Sequence, residues 1–294
     1  VNESLIIAIR QGRTTVTWPD VLKAKHLKEL GLPEDVEYIE RERHAIAVHE
    51  ACHAIAAFRT RHHWTIDLAT IEKGGSYLGM VSSVKPEDQF TRWRTEYESD
   101  IIVSLASLAG ERLFYGGDNS SGVSLDLESA TTIATFMEGY WGMGNSISSQ
   151  GVTMQMLGIV QGGRQGEAGE GTKAWGRIGQ HIELKLQELY ERAEQLLLQN
   201  RTMVLALAHA LETHKTISGE DVAAILEGRP GPLVDGRVYH SPHFADAAER
   251  YHELAVEAHR SHAPVDAPLP TLPSIAEPEP IVVNAATPPP PAGD

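Results

Sequence analysis

The amino-acid sequence predicts a mainly α-helical fold with a small β-hairpin or sheet beside one long helix. Three observations support this class. Apolar residues recur at helical spacing from about Glu40 to Arg61. β-branched and aliphatic residues then flank Gly74-Gly75 within residues 66–84, which is the pattern of a hairpin. Two amphipathic segments between residues 180 and 227 predict a helical pair.

The remaining elements follow from caps and turn formers. Residues 1–30 predict two helices, because Thr17 can cap the second and Pro19 lies in its first turn. A helix is predicted from about Phe90 to Tyr115, and another follows the turn-rich stretch GGDNSSGVS.

Two stretches lack such patterns. The glycine-rich residues 157–179 predict a long mobile loop. We expect order to fade after about Pro230. Residues 264–294 hold ten of the sixteen prolines and almost no aromatic side chain, so we expect that tail to be disordered.

Composition excludes several classes of protein. The 294 residues carry a net charge of -15 without a basic stripe, which argues against nucleic acid or an anionic membrane surface as the main partner. The single cysteine permits no intramolecular disulfide, as expected in a reducing compartment. No apolar run is long enough to span a membrane. The chain starts at Val1 inside an apolar, helix-like run, so we interpret it as a fragment of a longer protein.

The long helix carries the strongest functional signal, the stretch His49-Glu50-Ala51-Cys52-His53. Positions i and i+4 share one face of a helix, so the two imidazoles can chelate one ion and Glu50 can lie beside it. Zinc takes such ligands together with a third protein group, and a nearby carboxylate can carry the proton of a bound water. Without a metal, burying these groups in an apolar helix would cost several kcal/mol.

Three carboxylates compete for the role of third ligand. Glu72 lies on a predicted strand and is more simply explained as part of a solvated face. Glu111 lies between apolar helical residues and could be a ligand or could orient a metal-bound histidine. Asp126 follows a turn at a helix start, where a short, rigid acid is well placed to close the site. We favour Asp126.

The chain resembles the peptidase portion of the FtsH family of ATP-dependent zinc proteases, peptidase family M41. The resemblance rests on HEACH, ATIEKGGSYLGMV, AGERLFYG, SSGVSLDLESAT and YWGMG, in the family's order, and covers about residues 40–228. It implies that His49, His53 and Asp126 bind one Zn²⁺ and that Glu50 is the catalytic base.

The resemblance also implies a domain organisation. Residues 1–35 would be the end of an AAA ATPase lid and its linker, residues 36–230 the metallopeptidase domain and residues 231–294 a proline-rich tail. An edge strand would bind substrate by strand addition. Its predicted binding residues are Tyr77, Leu78, Gly79, Met80 and Val81.

The implied activity is hydrolysis of unfolded or damaged proteins by a homo-hexamer. Its location would be the cytoplasmic side of a membrane, with any membrane association made through segments outside this chain. No phosphate-binding loop occurs in the sequence, so ATP and magnesium would belong to an ATPase portion elsewhere. One alternative is a catalytically silent, FtsH-like subunit with a structural or substrate-handling role. Another is a zinc peptidase that works without an ATPase.

The sequence departs from the family pattern in two site positions. Cys52 stands where the family has glycine and is expected to be a buried core thiol. Leu125 stands where the family has asparagine before Asp126, which could alter the surroundings of that ligand.

Overall fold

The computed structural model describes residues 2–29, 31, 34, 36–75, 77–88, 90–145, 147, 149 and 168–272. Within these residues it contains nine α-helices and a three-stranded sheet. The helices are α1 (Asn2–Arg10), α2 (Trp18–Glu29), α3 (Glu40–Thr60), α4 (Arg94–Phe114), α5 (Ser124–Gly139), α6 (Ala168–Gln199), α7 (Arg201–His214), α8 (Gly219–Glu227) and α9 (Pro242–Ser261). The strands are β1 (Thr65–Thr70), β2 (Met80–Val84) and β3 (Thr216–Ser218). The predicted fold class is confirmed.

Helix α3 forms the centre of the core. It packs against α4, α7 and α9, while α4 packs against α5 and α6. Small side chains let the helices approach closely: Ala47, Ala51 and Ala56 are fully buried. Cys52 is buried in the same layer, as predicted, and burial raises the pKa of its thiol. A Cβ on Gly110 of α4 would lie 2.3 Å from its sulfur, so the thiol occupies the space of a missing methyl group.

The sheet lies beside α3 with strand order β2-β1-β3, and both pairings are antiparallel. The β1–β2 register pairs Thr70 with Met80 and Thr65 with Val84. The hairpin around Gly74-Gly75 is therefore confirmed. β2 occupies an edge of the sheet, which is the position predicted for a strand within residues 77–84.

The prediction of a disordered segment after Pro230 is wrong for residues 231–272. Residues 236–240 form a 3₁₀ turn, and α9 follows with its first turn capped by Ser241. Phe244 and Tyr251 of α9 are buried. Ser241 and Pro242 are ordinary signals of a helix start, and the apolar residues of α9 recur at helical spacing, so the expectation extended the proline-rich character of the tail too far toward the N-terminus. Residues 273–294 lie outside the described part of the chain.

The prediction of a loop over residues 157–179 is also wrong in part. Helix α6 begins at Ala168, whereas residues 157–167 lie outside the described part. Glycine weakens a helix, but α6 continues into a stretch with buried Leu189 and Ala193 that packs against α4. Packing therefore overrides the local preference.

The N-terminal residues form the two predicted helices, α1 and α2. Lys25 of α2 forms an ion pair with Asp67 of β1, which attaches this segment to the sheet. Among the described residues, no helix is long and apolar enough to cross a membrane.

Candidate metal centre

Helix α3 places His49 and His53 side by side. Their ring centroids are 4.9 Å apart with an interplanar angle of 72°. This proximity follows from their i, i+4 spacing on one helix face. Both rings line a cleft of about 1090 Å³ that is bounded by β2, α4 and the loop before α5.

One nitrogen of each ring is bound by the protein. His49 Nδ1 lies 2.8 Å from Glu111 Oε1, and His53 Nδ1 lies 2.8 Å from the carbonyl oxygen of Val103. These acceptors assign a proton to each Nδ1 and leave the Nε2 lone pairs for another partner. Glu111 is itself fixed, because Ser120 donates to it from its backbone N–H and from its hydroxyl.

Asp126 meets both Nε2 atoms from the first turn of α5. Its Oδ2 lies 3.4 Å from His49 Nε2 and 3.4 Å from His53 Nε2. Ser107 of α4 donates to the same oxygen at 2.8 Å. One atom from each of the three residues lies within 4.8 Å of the other two, so the group could hold a metal ion.

The donor set passes a chemical test for zinc. Two imidazoles with fixed Nδ1 protons and one carboxylate are ligands that zinc accepts in catalytic sites, where a fourth position stays open. The cleft supplies that opening. Of the competing carboxylates, Glu111 contacts the far nitrogen of His49, and Glu72 accepts a hydrogen bond from Thr216 at 3.0 Å. Of these three carboxylates, Asp126 is the one with an oxygen 3.4 Å from both Nε2 atoms.

The electrostatics of the site favour a cation. Burial lowers the pKa of His49, but hydrogen bonds to Asp126 and Glu111 outweigh it and raise that pKa to about 10. Burial also opposes ionisation of Asp126, yet its hydrogen bonds to His49 and His53 hold its pKa well below the ordinary value. Positive charge between these rings is therefore stabilised by two carboxylates.

Glu50 lies next to these ligands along the helix and is only 5 % exposed. Burial raises its pKa, while the neighbouring histidines partly oppose that shift. A Cβ on Gly79 would lie 2.6 Å from Glu50 Oε1. The glycine before β2 therefore leaves the room that the Glu50 carboxyl occupies.

The segment that leads into β2 forms part of the cleft. Its lining residues are Tyr77, Leu78, Gly79, Met80 and Val81, which are the five residues named from the sequence. Tyr38 fixes this segment by donating its hydroxyl to the carbonyl oxygen of Leu78 at 2.9 Å. Burial, with nearby carboxylates, raises the pKa of Tyr38 to about 12, so the hydroxyl keeps its proton.

Sequence reasoning missed several residues of this site. Ser107 and Ser120 orient two carboxylates, but isolated serines carry no signal in a single sequence. His259 and His262 line the cleft from the end of α9, a region expected to be disordered. Leu125 is 64 % exposed at the cleft, beside Asp126.

A helix with two histidines one turn apart, a glutamate between them and an acid from a distant helix defines the metallopeptidase class of site. The model of Peptidase family M41 matches residues 37–225. The chain belongs to peptidase family M41.

Curated relatives agree with this assignment. The ATP-dependent zinc metalloprotease FtsH 2 of Symbiobacterium thermophilum is 31% identical over 228 residues, which cover 77% of this chain and 38% of that protein. FtsH 2 of Methylacidiphilum infernorum is 29% identical over 232 residues, 77% of this chain and 36% of the relative. The mouse ATP-dependent zinc metalloprotease YME1L1 is 30% identical over 232 residues, 78% of this chain and 31% of the relative. The chain thus spans about a third of the length of these proteins.

Proposed function

We propose that this chain is a zinc-dependent metalloendopeptidase domain that hydrolyses peptide bonds in unfolded polypeptides. The observation that carries the proposal is the convergence of His49 Nε2, His53 Nε2 and Asp126 Oδ2 beside a buried glutamate. These three side chains would hold the ion, and Glu111 and Val103 would orient the histidines. Zinc bound there would supply a Lewis acid for the scissile carbonyl and would acidify a water molecule.

Glu50 is assigned the role of proton carrier. Its raised pKa suits a group that must accept a proton from the attacking water and then release it to the leaving amine. Burial excludes bulk water from the carboxyl, and Gly79 keeps its position free of a competing side chain. Glu50 thus serves as a base beside the proposed ligands and is not itself a ligand.

The edge position of β2 supports substrate binding by strand addition. A strand at the edge of a sheet presents unpaired backbone N–H and C=O groups, and an extended peptide can pair with them. The residues before and within β2 line the same cleft as the metal ligands. Backbone pairing selects an extended chain and not a sequence, which suits unfolded substrates.

The context of the whole protein is inferred from the relatives. Their names describe ATP-dependent zinc metalloproteases, and this chain spans about a third of their length. We infer coupling to an ATPase that binds ATP and magnesium, a homo-hexameric assembly, and a position on the cytoplasmic side of a membrane.

The substitution Glu50→Gln tests the activity. The variant should keep one zinc per chain and lose cleavage of casein, because glutamine cannot carry the proton. Glu183→Gln is the matched control, since Glu183 is exposed on α6. Zinc content is measured by atomic absorption and cleavage by release of labelled fragments. Undiminished cleavage by the Glu50 variant would contradict the role of Glu50 as proton carrier. Wild-type protein that binds zinc but does not cleave casein would favour the alternative of a catalytically silent subunit.

A further inference from the structure

The cleft has a wall that lies outside the family match. The match ends at residue 225, whereas His259 and His262, at the end of α9, line the same cleft as His49 and Glu50. His259 is half-buried and His262 is exposed. The C-terminal helix therefore adds two imidazoles to the wall around the candidate metal centre.

This wall is attached firmly to the core. Arg41, at the start of α3, donates to the carbonyl oxygen of Ala263 at 3.1 Å. The ring of His259 meets Tyr115 edge-on with centroids 5.4 Å apart. His252, two turns earlier in α9, bonds His44 of α3 at 3.0 Å. The end of α9 is thus held against the first turn of α3.

The direction of β2 shows where this wall lies along a bound peptide. The segment before β2 is bonded to Tyr38, just before α3, and the far end of β2 pairs with Thr65, just after α3. The strand therefore runs alongside α3 in the same direction. A peptide added to β2 lies along α3 and reaches the α9 wall at the end nearest Arg41.

Arg41 and His49 are eight residues apart on α3, which is about 12 Å along the helix axis. An extended peptide covers that length with roughly three to four residues.

The α9 wall brings hydrogen-bonding groups to one end of the cleft. Near the start of α3 the cleft is lined by Arg41 and Glu42 together with the apolar side chains of Ile39, Ala45 and Ile46. His259 and His262 add two imidazoles to this part of the lining. An imidazole can both donate and accept a hydrogen bond, so this part suits a polar, hydrogen-bonding side chain better than an aliphatic one.

We propose that His259 and His262 form a substrate subsite that selects a hydrogen-bonding side chain three to four residues from the scissile bond. The proposal rests on the proposed peptidase function, since it names a subsite of the same cleft. A subsite built to hydrogen-bond discriminates against an isosteric apolar group, because the polar groups of the site are then left unpaired.

Peptide binding to the zinc-loaded Glu50→Gln chain tests the subsite without turnover. Fluorescent peptides carry either glutamine or leucine at each position in turn, and anisotropy gives the dissociation constants. Glutamine at the position that meets the subsite should bind on the order of fivefold to tenfold more tightly than leucine. The double substitution His259→Leu with His262→Leu should abolish the preference for glutamine over leucine, whereas His259→Gln should retain part of that preference. His243→Leu is the control, because His243 is exposed at the opposite end of α9.

The outcomes separate the two proposals. The subsite is overturned if the glutamine and leucine peptides have equal dissociation constants at every position. It is also overturned if the difference between them persists in the double substitution. Wild-type chain that cleaves none of these peptides overturns the peptidase function, while the binding ratios still decide the subsite. Thermal unfolding of each variant shows whether the wall is intact.

Discussion

Helix α3 contributes histidines to two clusters of histidine and carboxylate, which lie within a few turns of each other along the helix. The first consists of His49, His53 and Asp126. The second, which we call the buried relay, consists of His44, His252 and Glu212. Each cluster has two imidazoles and one carboxylate, yet the first cluster opens into the cleft, whereas all three members of the relay are buried.

The relay uses all of its ring nitrogens within the protein. His252 Nε2 lies 3.2 Å from the carbonyl oxygen of Phe114, the last residue of α4, so this nitrogen carries a proton. Its Nδ1 then accepts from His44 Nε2 at 3.0 Å. His44 Nδ1 lies 2.8 Å from Glu212 Oε2, and one proton is shared between them. No lone pair is left for a metal ion.

The metal cluster differs because its two Nε2 atoms face the same carboxylate oxygen, at 3.4 Å each, and neither has another partner in the described part of the chain. The relay joins α3, α7 and α9, while the metal cluster joins α3 and α5 at an open cleft. The distinction between a structural and a metal-binding histidine therefore lies in where the second nitrogen points.

The largest effect is predicted for a substitution that disrupts the metal cluster and leaves the relay intact. His53→Ala removes one of the three proposed ligands, so zinc content should fall from one per chain to near zero and casein cleavage should fall to background. The metal-free variant should be destabilised by about 2–3 kcal/mol relative to the metal-free wild type, because the hydrogen bond to Val103 and the contact with Asp126 are both lost. Atomic absorption and urea unfolding are measured on the same preparations. A variant that keeps stoichiometric zinc would show that the ion binds elsewhere.

The converse substitution breaks the relay. His44→Ala leaves the Nδ1 of His252 buried without its donor and removes one of the groups that bond Glu212, which keeps Arg43 and Tyr251 at 3.5 Å. The free energy of unfolding should fall by about 2–3 kcal/mol, the cost of leaving a buried polar atom unpaired. Zinc content should stay at one per chain in the fraction that remains folded. A variant with unchanged urea stability would contradict the structural role of the relay.

The two clusters also mark what the sequence could predict. The motif around His49 and His53 is local, because helical spacing alone brings both rings together. Asp126 could be favoured but not chosen from the residues alone, since three carboxylates met the chemical requirement. Its distances to both rings single it out among them.

The relay had no such signal. His44, Glu212 and His252 are separated by up to 208 residues, and contacts at that separation depend on the tertiary fold. The helix that carries His252 lies in the stretch where order was expected to fade. Ser241 and Pro242 mark its start and packing against α3 and α7 holds it, but neither signal identifies His44 as the partner of His252.

The smallest predicted effect is the pH dependence of stability that His252 of the relay contributes. Burial, followed by the charge of the nearby His44 and Arg201, lowers the pKa of His252 to about 3. In the unfolded chain a histidine titrates near its ordinary pKa of about 6.5. Between these values the unfolded state binds a proton that the folded state does not, so this contribution to stability is present above pH 6.5 and is lost as the pH falls.

From pH 7 to pH 5 the loss attributable to His252 is about 2 kcal/mol. His252→Asn should therefore reduce the pH dependence of urea stability over this range by that amount, because asparagine does not titrate. The metal-free chain is used, so that release of zinc does not contribute to the slope, and the exposed His243→Asn serves as the matched control. An identical slope in the His252 variant would mean that the ring is protonated in the folded state. In that case His252 Nε2 would still donate to the carbonyl oxygen of Phe114, but its Nδ1 would donate to His44 Nε2, and the positive charge of the relay would lie on α9.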